Sequence, residues 1–85
     1  GSLTGRDIIG TLPQPEKGKY QPGKVVVVIY VNPQGKVTNA SIGKGTTVSD
    51  NATLEAMKKK AMEARFTQSD QKNDQQGQIT YIIPE

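Results

Sequence analysis

Apolar residues fall in three clusters along the 85-residue chain, and the spacing within each predicts a different element. Val25, Val26, Val27, Val28, Ile29, Tyr30 and Val31 run without a polar interruption and are β-branched or aromatic at both parities, as a strand covered on both faces requires. Residues 24–32 are read as a central strand. Asn32-Pro33-Gln34-Gly35 places Asn at turn position i, Pro at i+1 with its φ already near the needed value, and Gly at i+3, where a positive φ carries no Cβ penalty. The chain reverses there, and residues 36–43 return as a second strand. Val37, Ala40 and Ile42 do not share one parity, which predicts a bulge near Asn39.

The second cluster has a helical period. Leu54, Met57, Ala61 and Ala64 recur at spacings of three, four and three, a narrow stripe that leaves Lys58, Lys59 and Glu63 facing water. Thr46-Thr47-Val48-Ser49-Asp50-Asn51 supplies capping residues, so a helix starts at about Asn51 with Ser49 or Asp50 accepting from a free first-turn amide. Phe66 follows as a plug for the base of the core. Residues 67–76 are wholly polar and read as a mobile loop. In the third cluster, residues 77–83 form a last strand with Ile79, Tyr81 and Ile83 on one face.

The N-terminal stretch is less periodic. Gly5, Gly10, Gly18, Pro13 and Pro15 break it up, and we expect a short helical turn presenting Ile8, Ile9 and Leu12, then an extended Leu12-Pro13-Gln14-Pro15 lying over the sheet. The short patch is the simplest cover for the face of the central strand that the helix leaves bare, dimerisation being the other.

These elements make an α+β fold, a three-stranded, mostly antiparallel sheet of order 2-1-3 with a helix on one face. Eighty-five residues allow one domain, here residues 3–85, and so small a domain buries only about 60 to 65 percent of the surface its unfolded chain exposes. The leading Gly1-Ser2 reads as an expression scar, and the chain as a fragment from which an anchor or targeting segment has been cut. Strand three then lies at an edge. It carries no charge and no internal proline, the usual devices that blunt an edge.

Composition narrows the chemistry. The chain has no Cys and no His, which excludes disulfides, thiolate nucleophiles, imidazole bases and the common zinc sites. Its carboxylates, Asp7, Glu16, Asp50, Glu55, Glu63, Asp70, Asp74 and Glu85, are scattered, so no metal or cofactor is expected. A net charge of +3 with only Lys58-Lys59-Lys60 contiguous is too diffuse for nucleic acid, which needs several aligned cations. The lysine run reads as a solvated helix face or an attraction for acidic loops and lipid heads. No apolar run approaches the roughly 20 residues of a membrane span.

Gly23-Lys24-Val25-Val26-Val27, Asn32-Pro33-Gln34-Gly35-Lys36-Val37, Asn39-Ala40, Gly45-Thr46-Thr47, the Ala61, Ala64, Phe66 spacing and the Gly77, Ile79, Tyr81 spacing together resemble the C-terminal domain of TonB energy transducers, in a Bacteroidetes-like form. The resemblance implies a periplasmic domain tethered to the inner membrane, which grips the TonB box of outer-membrane transporters and passes on work from a proton-driven motor. It implies that the peptide adds as a strand beside Gly77, Gln78, Ile79, Thr80, Tyr81 and Ile82. Leu12, Pro13, Gln14 and Pro15 fall where the family has a second, tyrosine-proline contact with the transporter, although the tyrosine is missing. The proline that often follows the aromatic after the helix is missing too, and so is a further C-terminal strand that many relatives carry.

Two other classes compete with this one. A small hydrolase of acylphosphatase type would use Gly43-Lys44-Gly45-Thr46-Thr47 as an anion cradle, but the spacing of a phosphate loop and a partnered nucleophile are absent. A cell-envelope scaffold or sensor could use the same fold to bind peptidoglycan or protein. A homodimer, or the N-terminal segment, could also cover the edge of strand three.

Overall fold

The computed structural model describes residues 3, 5–12 and 14–85. Gly1 and Ser2, and the expectation attached to them, lie outside the described residues. Strand β1 spans Gly23–Val31, β2 Val37–Ile42, helix α1 Asn51–Met62 and β3 Gln75–Ile83. The sheet order is β2-β1-β3, with both pairings antiparallel. This is the α+β arrangement expected from the apolar pattern.

One parity of β1 builds the core. Val25, Val27, Ile29 and Val31 are buried beneath α1 together with Val37, Met57, Ala61, Phe66, Ile79, Tyr81 and Ile83. The helix packs chiefly on β2 and β1. Its buried row is Thr53, Met57 and Ala61, with Ala64 buried just past the helix end, so the predicted stripe holds at three of its four positions; Leu54 is only half-buried against the core, and Thr53 takes the fully buried place beside it. Thr53 earns its buried position through hydrogen bonds. Its hydroxyl accepts from the Gln21 amide (3.0 Å) and donates to the Asp50 carboxylate (2.7 Å).

Asp50 is the N-cap, accepting from the Thr53 amide at 2.9 Å. Gln21 adds a second clasp, its Oε1 accepting from the amides of Ser49 (2.9 Å) and Asp50 (2.8 Å). The Thr53 hydroxyl, and after it the Thr53 amide, hold the Asp50 carboxyl below its ordinary value of 3.8. A depressed carboxyl stabilises the fold above its unfolded value, and that contribution disappears as pH falls through the lower folded value. Asp50→Asn keeps a capping oxygen but does not titrate. The urea midpoint of this variant should therefore fall less than that of the wild type between pH 5 and pH 2; parallel acid profiles would contradict the cap.

Strand β2 bulges where Tyr30 pairs with Asn39 and Val31 with Val37, leaving Thr38 as the extra residue, one position before the one expected. Beyond Ile42 the chain keeps following β1 by other means. The Gly43 amide donates to Val26 O (2.8 Å) and that of Thr47 to Lys24 O (2.8 Å), while the hydroxyls of Thr46 and Thr47 accept from the amides of Val26 and Lys24 at 2.9 Å each. Two threonine hydroxyls thus stand in for a missing stretch of strand.

The N-terminal segment departs from the expected helical turn. Gly5 and Gly10 both take φ +74°, outside the helical region, and residues 6–9 run beside the chain that follows α1. Ile8 bridges Phe66, the Ile9 amide donates to Arg65 O (2.9 Å) and the Thr67 amide to Asp7 O (2.9 Å). Arg6, 7% exposed, donates to Thr67 O and Asn32 O, both at 2.9 Å. Leu3, Ile8, Leu12 and Tyr20 join the same core as the helix. The segment therefore does not cover the opposite face of β1, because its backbone is committed to residues 65–67. There Val26 is shielded by Gly43 and Gly45, and Tyr30 stays part-exposed.

Candidate functional site

The direction of each peptide group along β1 follows from the threonine contacts. Lys24 and Val26 turn their N–H and C=O groups toward the β2 side, so Val25, Val27 and Ile29 turn theirs toward β3, since alternate residues of a strand point opposite ways. Their partners on β3 are Tyr81, Ile79 and Gly77. The alternate residues Gln76, Gln78, Thr80 and Ile82 consequently direct their backbone groups away from the sheet. No strand pairs with β3 on that side among the described residues.

The outer edge of β2 is managed differently. It is six residues long and bulged at Thr38. Ala40 pairs with Ile29, so its amide points outward, and the Asn39 Oδ1 folds over to accept it at 2.9 Å. One edge is thus partly capped by its own side chain, and the nine-residue β3 is left open among the described residues.

Side chains along β3 divide by face. Gly77, Ile79, Tyr81 and Ile83 are buried on the helix side, whereas Gln76, Gln78, Thr80 and Ile82 are exposed on the other, with Ile82 at 67%. The strand begins at Gln75, two residues inside the expected loop, because Gln75 and Gln76 pair with Val31 and Tyr30. The Tyr81 hydroxyl is buried with no partner among the described residues, and burial, with the Glu63 carboxylate adding to it, pushes its pKa up to about 12. It stays protonated and neutral throughout the physiological range.

The structure brings Gly77, Gln78, Ile79, Thr80, Tyr81 and Ile82 together as one strand, as the sequence suggests. Of the second group, Leu12 packs against the core, Pro15 is half-buried and Gln14 is exposed, with its amide donating to Leu12 O at 3.3 Å. That bond lies within the segment and does not reach β3. Pro13 lies outside the described residues. Sequence reasoning missed Leu3 and Arg6, which no periodicity marks.

Other places offer less. The Gly43 to Thr47 stretch cannot cradle an anion with its hydroxyls, because Thr46 donates its hydroxyl proton to Gly43 O (2.9 Å) and Thr47 donates its own to Lys24 O (3.5 Å). A cleft of about 210 Å³ on the outer side of α1 is lined by Glu16, Lys19, Tyr20, Ala56, Lys59, Lys60 and Glu63. Its charges are of both signs, and Glu16 already pairs with Lys19 at 3.7 Å. Among the described residues no cluster of acidic side chains could hold a metal ion, and no helix is long and apolar enough to cross a membrane.

Comparison with known proteins gives one positive finding. The profile of the family described as Gram-negative bacterial TonB protein C-terminal matches residues 11–83. No curated protein and no solved structure gives a significant match.

Proposed function

The chain belongs to the TonB C-terminal family, a family of energy-transducer domains, and from that membership we propose that it captures a peptide as an added strand on the open edge of β3. The partner in this reading is the TonB box of an outer-membrane transporter. The domain works in the periplasm, joined to the inner membrane and its proton-driven motor by a segment preceding this chain, and it acts by binding, without catalytic turnover. The observation that supports the reading is the line of outward backbone groups at Gln76, Gln78, Thr80 and Ile82, which no strand pairs among the described residues, on an uncharged edge strand. Backbone pairing supplies affinity in strand addition, and flanking side chains supply selectivity.

The test is an amide-shift titration with a panel of transporter N-terminal peptides. The expected result is a cluster of shifts along β3, largest at the outward amides of Gln76, Gln78, Thr80 and Ile82. Shifts confined to β2, or to the lysine run at residues 58–60, would overturn the proposal. Saturation at protein concentration alone, without peptide, would point to a second copy of the chain on the same edge.

A further inference from the structure

Leu3 sits on the acceptor strand. It is 7% exposed, and a Cβ built on Gly77 would come within 2.7 Å of its Cδ2 and 3.0 Å of its Cγ. Gly77 has no positive φ to explain its identity. What it supplies is a hole, and the Leu3 side chain fills it from the helix side, a close approach of the kind that a glycine inside a strand marks. Because α1 packs chiefly on β2 and β1, the roof over this end of β3 comes from the N-terminal segment.

We infer that Leu3 is part of the strand-binding site: seated on Gly77, it forms an apolar wall for the helix-side residues of the incoming peptide, and so selects a partner with apolar residues on that face. The inference rests on strand addition at β3. A strand added there lies about 4.8 Å beyond Gly77. Its side chain beside Gly77 on the helix side starts within reach of Leu3, while its alternate side chains fall next to Gln76, Gln78 and Thr80, which are exposed and polar. The partner is therefore an uncharged extended peptide with apolar residues at one parity and hydroxyl or amide residues at the other. Arg6 keeps the wall in place, because its guanidinium grips Thr67 O and Asn32 O and its amide donates to Leu3 O at 3.1 Å.

Two capped peptides serve as probes, one of alternating valine and threonine and one of threonine alone, titrated against the full chain by amide shifts. The wild type should prefer the valine-containing peptide at least tenfold. Leu3→Ala should reduce that preference to threefold or less, with the loss falling chiefly on the valine peptide, whereas general loosening of the fold would weaken both peptides alike. Leu3→Met should restore it. Gly77→Ala should displace Leu3 and lower the preference equally, and the double variant should be no worse than either single one. If both peptides shift β3 and Leu3→Ala retains the wild-type preference, the wall is wrong and strand addition stands. If neither peptide shifts β3 in the wild type, strand addition itself fails and takes the inference with it.

Discussion

Gly35→Ala should cost about 5 kcal/mol and leave the chain largely unfolded at 37 °C, an effect at the extreme end for a single methyl group. Gly35 has φ +91°, where a side chain is strained, and a Cβ there would lie 1.9 Å from the carbonyl oxygen of Phe66. Neither neighbour can give way. The Gly35 carbonyl accepts from the Phe66 amide at 2.8 Å, and the Gly35 amide closes the turn onto Asn32 O at 2.9 Å. The turn is therefore also the seat on which the chain docks after leaving α1. Phe66→Ala probes the same joint from its other side: it removes a ring that is 5% exposed and should cost about 3 to 5 kcal/mol. Total stability for a chain of this length is on the order of 4 to 13 kcal/mol, so either change consumes a large share of it. Urea unfolding of the two variants is the measurement, and a wild-type midpoint for Gly35→Ala would refute the docked turn.

Thr80→Pro should leave the domain folded and weaken peptide binding at least about tenfold, a loss of about 1.4 kcal/mol. The Thr80 amide points to the open edge, so proline there removes a donor offered to the peptide and none offered to β1. Thr80→Ala should change affinity less than about twofold, since the contact is made by the main chain. Ile79→Pro and Tyr81→Pro should behave in the opposite way and unfold the sheet, because those residues bond β1. The contrast between neighbours is what carries the test. If Thr80→Pro unfolds and Tyr81→Pro remains folded, the assigned strand parity is inverted.

Much of the architecture could be read from the chain because its local signals agree with one another. A strand apolar at both parities has to be central, the turn at residues 32–35 forces a hairpin, and three elements of this kind leave little choice of order. The errors occur where a distant partner decides. Gln75 and Gln76 look like loop, yet the length of β1 opposite them recruits them into β3. Leu54 belongs to the apolar stripe by spacing, yet Thr53 takes the fully buried place because Gln21 and Asp50 satisfy its hydroxyl. Arg6 acts on carbonyls 26 and 61 residues away, a separation that no local pattern encodes. The segment forming the candidate edge was visible as an uncharged terminal strand. Which of its amides point outward was not, since that depends on the register in which β1 pairs with β2 and β3.

Under the proposed strand addition, the unequal edges give the molecule a valence of one. A sheet that can grow from both sides can polymerise head to tail, as fibres do when a heterologous contact fails to close. Here Asn39 folded onto Ala40 and the bulge at Thr38 impair one side, so two copies meeting through β3 would close on each other and stop. The same asymmetry makes the two pairings exclusive: a copy engaged with its twin has no edge left for a peptide, and a copy holding a peptide has none left for a twin. Should two copies pair through β3 at all, raising the protein concentration would lower apparent peptide affinity without producing fibres.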